Sequence, residues 1–138
     1  MKRELIENVR VTPYTSGTAF DREGFLSGVL GILVGTPTGT PAAMKAKVVL
    51  TECDTEDGTY TACSDKLIPI GKGQLDSAGA VAVDVDAAGG SLVNFDLDLL
   101  GCKKYVKATI SIECTGGTST ACTATAALAL GDAAEMPV

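Results

Sequence analysis

The sequence predicts an all-β protein: a two-sheet antiparallel β-sandwich, jelly-roll-like, of about eight strands with an extended N-terminal arm. Three observations predict it. Apolar and polar residues alternate with period two over several segments separated by Gly- and Thr-containing turns, as in strands with one buried and one wet face. Aromatic residues make up 4% of the chain and Trp is absent, while Ala, Val, Leu, Thr and Gly dominate, which suits thin, closely packed strands rather than a bulky helical core. At 138 residues the chain is long enough for one core and short for two. A strand-rich α+β fold, with any helix near the arm, is the alternative.

Residues 1–24 contain Pro13, Gly17 and Gly24 without sustained periodicity, and so predict an extended arm in contact with a neighbour, with one strand through Ile6 to Val11. Residues 25–138 predict a single sandwich domain. Phe25 to Val34 is apolar on both faces with Gly28 and Gly31 inside it, the pattern of a central strand closely approached by its neighbours. GTPTGTPA, from Gly35, is a surface loop that no helix crosses. Met44 to Leu50 is a strand with Ala46, Val48 and Leu50 on one face and Lys45 and Lys47 on the other. Leu67 to Ile70 reads as a short edge strand broken by Pro69, with GKGQLDSAG a loop.

Val81, Val83 and Val85 then alternate with Ala82, Asp84 and Asp86, and Val93, Phe95, Leu97 and Leu99 with Asn94, Asp96 and Asp98. Tyr105 to Cys114 is the clearest strand, with Val106, Ala108, Ile110 and Ile112 opposite Lys107, Thr109, Ser111 and Glu113. The last strand runs from about Thr120 to Leu130, with Cys122, Ala124, Ala126, Leu128 and Leu130 inward and a partly covered outer face of Ala and Thr.

Cysteines bracket two of the turns. Cys53 and Cys63 flank DTEDGTYTA, and Cys114 and Cys122 flank TGGTSTA. Each segment reads as two short strands folding back, so that Cys53 opposes Cys63 about Gly58 and Cys114 opposes Cys122 about Thr118. Directly opposed residues have Cα atoms roughly 4.5 to 5.5 Å apart, a separation that a disulfide spans. Cys53, Cys63, Cys114 and Cys122 are therefore candidate disulfide residues, with other connectivities open. Cys102 lies outside both pairs and is the candidate for a bridge to a neighbouring chain or for an uncrosslinked thiol. The alternative is that all five are small buried thiols of a protein kept reduced.

Charge and residue content exclude several function classes. A net charge of -6 without a basic stripe argues against nucleic acid as a partner. The ten-residue apolar run from Phe25 is too short to span a bilayer, and MKRELIENVR mixes acids with bases, so neither a membrane partner nor a signal peptide is expected. Histidine is absent, which removes the commonest general base and every Ser-His or Cys-His nucleophile.

Asp84 with Asp86 and Asp96 with Asp98 each share a strand face; without Trp or an aromatic cluster to hold a sugar ring they read as solvated decoration rather than a glycosidase pair. The acidic turn Asp54, Glu56, Asp57, Gly58 lacks the twelve-residue spacing of a calcium hand. Without a CxxC motif or His partners, the cysteines make neither a zinc site nor a redox centre, and Gly71, Lys72 and Gly73 lack the context of a phosphate loop. No catalytic residue, metal or cofactor is expected. Lys103 and Lys104 are a solvated strand start, or a positive spot for an acidic neighbour.

The segment VVLTECDTEDGTYTACSD has the order strand, acidic-Gly hairpin, short strand; LGCKKYVKATISIE has Gly, a basic pair, Tyr, Val and a further basic residue; and an early apolar strand precedes GTPTGTPA. Over roughly residues 25–130 this order resembles a family of small tailed-bacteriophage structural proteins. The resemblance implies a jelly-roll-like sandwich that decorates and cements the outside of an icosahedral head. Asp57 and Gly58 then match the hairpin tip, Gly101 the turn, and Lys103, Lys104, Tyr105 and Val106 the start of the regular strand, all shaping the sandwich and none catalytic.

The cysteine content departs from the family pattern. The implied partners are the major capsid protein and further copies of the chain, as a dimer or trimer at symmetry axes; the implied location is the capsid surface after synthesis in the host cytoplasm. Competing readings are a phage neck, tail or fibre-associated module, and a carbohydrate- or cation-binding β-sandwich. Sparse aromatic residues count against sugar recognition.

Overall fold

The computed structural model describes residues 9–63, 75–118 and 121–133. They form nine strands: β1 (Arg10–Tyr14), β2 (Ala19–Asp21), β3 (Phe25–Val34), β4 (Ala43–Cys53), β5 (Thr61–Ala62), β6 (Ala80–Val85), β7 (Leu92–Asp98), β8 (Tyr105–Thr115) and β9 (Ala124–Ala133). One sheet has the order β1-β9-β3-β7; the second has the order β2-β8-β4, with β5 and β6 both pairing on the free side of β4. Every pairing is antiparallel. No helix of the described residues is long and apolar enough to cross a membrane.

Setting aside the two-residue β5, the first strand pairs with the last and the series continues inward: β1 with β9, β2 with β8, β3 with β7, β4 with β6. The chain is one long hairpin, rolled so that β3 also meets β9 and β4 also meets β8. That is jelly-roll connectivity, and the expected sandwich is present.

The inward residues are those the alternation selects. Leu30, Ile32 and Val34 of β3, Met44, Ala46, Val48 and Leu50 of β4, Val93, Phe95 and Leu97 of β7, Val106 and Ala108 of β8, and Leu128 and Leu130 of β9 are all buried. Phe95 heads the fully buried side chains by volume. Among the described residues no polar or charged one is buried, so the core is held by apolar packing and the backbone ladders.

The expected arm requires correction. Residues 10–21 carry β1 and β2, the outermost strand of each sheet, so the sandwich begins well before Phe25. An edge strand has one ladder partner and packs lightly, so it need not alternate: four of the five β1 residues are exposed and only Tyr14 is buried. Residues 1–8 lie outside the described residues, as does the expected strand Leu67 to Ile70. β9 also starts later than expected, because Ala121 O accepts from Thr38 N–H at 3.0 Å and Thr123 O from Gly35 N–H at 2.8 Å, tying these residues to the β3–β4 loop.

Strand direction sorts the connections into two ends. At one end lie residues 22–24, 54–60 and 99–104, carrying Arg22, Glu23, Asp54, Glu56, Asp57, Lys103 and Lys104. At the other lie 35–42, 86–91 and the described part of 116–123, rich in Gly, Thr, Ala and Pro, with Asp86 their one charged residue.

Candidate docking surface

The two outer sheet faces differ in chemistry. On the β2-β8-β4-β6 face, charges answer one another: Lys45 Nζ lies 3.5 Å from Asp84 and Lys47 Nζ 3.5 Å from Glu113. Lys107 Nζ sits 4.0 Å from the centre of the Tyr60 ring. These pairs are solvated and worth little individually, but they make a hydrated face.

The β1-β9-β3-β7 face carries no such pair among the described residues. The register lines up Val11, Ala129, Val29 and Asp96 in one row, Pro13, Ala127, Gly31 and Asn94 in the next, and Thr125, Leu33 and Leu92 in a third. Four of the five exposed large apolar side chains among the described residues stand here: Val11 at 66%, Val29 at 37%, Leu33 at 49% and Leu92 at 66%. Small residues on β9 and Gly31 keep the middle of the face low, and Asp96 and Asp98 charge its β7 edge. The surface runs on around the Gly- and Thr-rich end through an open depression of about 300 Å³, lined by Leu33, Gly35, Thr36, Gly90, Thr123 and Thr125 among others.

The residues singled out from sequence lie elsewhere, at the charged end. Lys104 Nζ is 3.4 Å from Glu23 and 3.9 Å from Asp21, and lies 5.3 Å from the centre of the Tyr105 ring. The hydrogen bond to Glu23, then the neighbouring acids, hold its ammonium above the usual lysine range. Lys103 N–H donates to Glu52 Oε2 at 3.2 Å. Arg22 fastens the same loop, donating from Nη2 to Cys102 O, from Nε to Lys103 O at 3.3 Å and from its backbone to Lys104 O at 3.0 Å.

Gly101 has φ of 84°, a left-handed turn position that suits glycine. Asp57 is exposed at the tip of the 54–60 loop, and a Cβ on Gly58 would stand 2.4 Å from both Cys53 Sγ and Thr55 Oγ1. These residues close and pin turns, and Arg22, Glu23, Asp54, Lys103 and Lys104 border an open depression of about 300 Å³. Among the described residues no group of three or more His, Cys, Asp or Glu could hold a metal ion.

The cysteine geometry differs from the expected hairpins. Thr51 pairs with Ala62 and Glu52 with Thr61, so the register sets Leu50 opposite Cys63, and Cys63 N–H donates to Leu50 O at 3.0 Å. Cys53 pairs instead with Tyr105, on the opposite face of β4 from Leu50 and Cys63. The second bracket is not a hairpin at all: Cys114 is on β8 and Cys122 just precedes β9, in different sheets, although both point into the gap between them. Cys122 Sγ lies 3.3 Å from Gly35 O, and burial, then the neighbouring Cys114 thiol, raise its pKa. No disulfide is present among the five.

The apolar outer face was missed from sequence. Its signal is present in Phe25–Val34, apolar on both faces, a pattern that a closely packed central strand and an exposed apolar face share. No protein-family model matches the chain, and neither a curated protein nor a solved structure does.

Proposed function

We propose that this chain is a structural virion protein that decorates and stabilises the outer surface of a phage capsid, with the β1-β9-β3-β7 face laid on capsid subunits and the charged face turned to water. The observation that carries the reading is the division of the jelly roll into one outer face of matched charges and one of exposed Val and Leu. The resemblance of the 48–65 and 100–113 segments to small tailed-phage decoration proteins supports the same role.

The surface that fits is apolar with a basic rim, because Asp96 and Asp98 border the apolar rows. A second copy offering the same face, in a chain of net charge -6, is a poorer match unless its Arg10 edge meets those acids.

Area bears on how such a protein holds. Four strands about 4.8 Å apart and seven residues long present roughly 400 Å² of face, against about 800 Å² per partner in a standard stable interface. One copy therefore binds weakly through the face alone. Self-association at symmetry axes, or contact through the adjoining Gly- and Thr-rich end, multiplies the contacts. The test is heads assembled without this chain, which lose resistance to heating and recover it when the chain is added back to saturation at fixed stoichiometry. Heads equally robust with and without it would remove the cementing role.

A further inference from the structure

At the charged end, Cys63 continues the β4–β5 ladder opposite Leu50, so its side chain points to the inner face, where it is 2% exposed. Cys102 closes the turn after β7, its N–H donating to Leu99 O at 3.1 Å and its Sγ 4.0 Å from Asp98 O. Both belong to the same buried core cluster. Glu52 ties them further: it pairs with Thr61 two residues before Cys63, and its carboxylate accepts the N–H of Lys103, next to Cys102, at 3.2 Å. Cys53 is on the other side of the sheet, beneath Thr55 and Gly58.

The structure assigns Cys63 and Cys102, and not Cys53, as the dithiol pair of this end, placed to close into a disulfide between the end of β5 and the β7–β8 turn. A low-molecular-weight disulfide such as oxidised glutathione is the oxidant. One protein thiolate attacks its S–S bond and expels a glutathione thiolate; the second attacks the mixed disulfide and expels the other. The protein loses two protons and two electrons, and one glutathione disulfide becomes two thiols.

Burial pushes the Cys63 thiol far above the ordinary range, so closure is slow at neutral pH and speeds up as thiolate forms or β5 opens. The bridge encloses about 40 residues, which corresponds to a rise in Tm on the order of 10 °C.

The test equilibrates the full chain with oxidised glutathione at about pH 9 until its thiol content is constant, then alkylates, digests without reduction and maps the peptides. The expected result is a linked Cys63–Cys102 peptide with a raised Tm that dithiothreitol reverses, retained in Cys53→Ser and absent in Cys102→Ala. If Cys102→Ala fails to fold, the peptide map of the unaltered chain decides alone. Cys63 linked to Cys53, or still alkylated at the end of equilibration, overturns the assignment.

Discussion

Where the chain leaves one sheet for the other, the Tyr14 hydroxyl accepts from Ala108 N–H at 2.8 Å and lies 2.5 Å from Thr18 O and 3.1 Å from Ala108 O. Tyr14→Phe keeps the ring, edge-on to Phe20 at 5.9 Å between centroids, and strands the Ala108 N–H. A loss of about 1–3 kcal/mol is expected from urea unfolding. Burial also raises the Tyr14 phenol above its usual pKa.

The unfolded chain therefore ionises first, and this contribution is full below about pH 10, its unfolded value, and is lost as pH rises from there through the higher folded pKa. Cys63 acts in the same direction from about pH 9. Unfolding midpoints compared at neutral and strongly alkaline pH will fall steeply in the native chain and less steeply in Tyr14→Phe. At Gly101, φ of 84° makes Gly101→Ala cost about 1–2 kcal/mol in the same assay.

At the scale of elements, β7 shows how division of faces sets mutational cost. Phe95→Ala, at a fully buried position, is expected to lose about 3–5 kcal/mol. Leu92→Glu, on the outer face of the same strand, is expected to change unfolding by less than about 0.5 kcal/mol.

Strands with one wet face were legible because the pleat forces period two, and β4, β6, β7 and β8 carry it plainly. β1 and β2 were not legible, since short edge strands with Pro13 and a single partner impose no such pattern. The expected register of Cys53 opposite Cys63 differs for a related reason. A symmetric bracket around Gly58 says nothing about register, and a three-residue shift puts Leu50 opposite Cys63. The Cys114–Cys122 bracket could not reveal that its flanking strands belong to different sheets.

For the whole molecule, the rolled hairpin pairs Arg10 with Leu130, so closing a sheet requires the two ends of the domain to meet. Such topology folds slowly, and stopped-flow refolding is expected in the range of milliseconds to seconds or longer. The same roll leaves one outer face without charge pairs, which a purely solvated sandwich has no need of. The most direct test is binding of purified chain to heads that lack it, comparing the native sequence with Leu33→Glu/Leu92→Glu after circular dichroism and melting show both equally folded. Saturable binding at fixed stoichiometry by the native chain, and at least tenfold weaker binding by the variant, is the predicted result; equal binding by both, or none by the native chain, would contradict it.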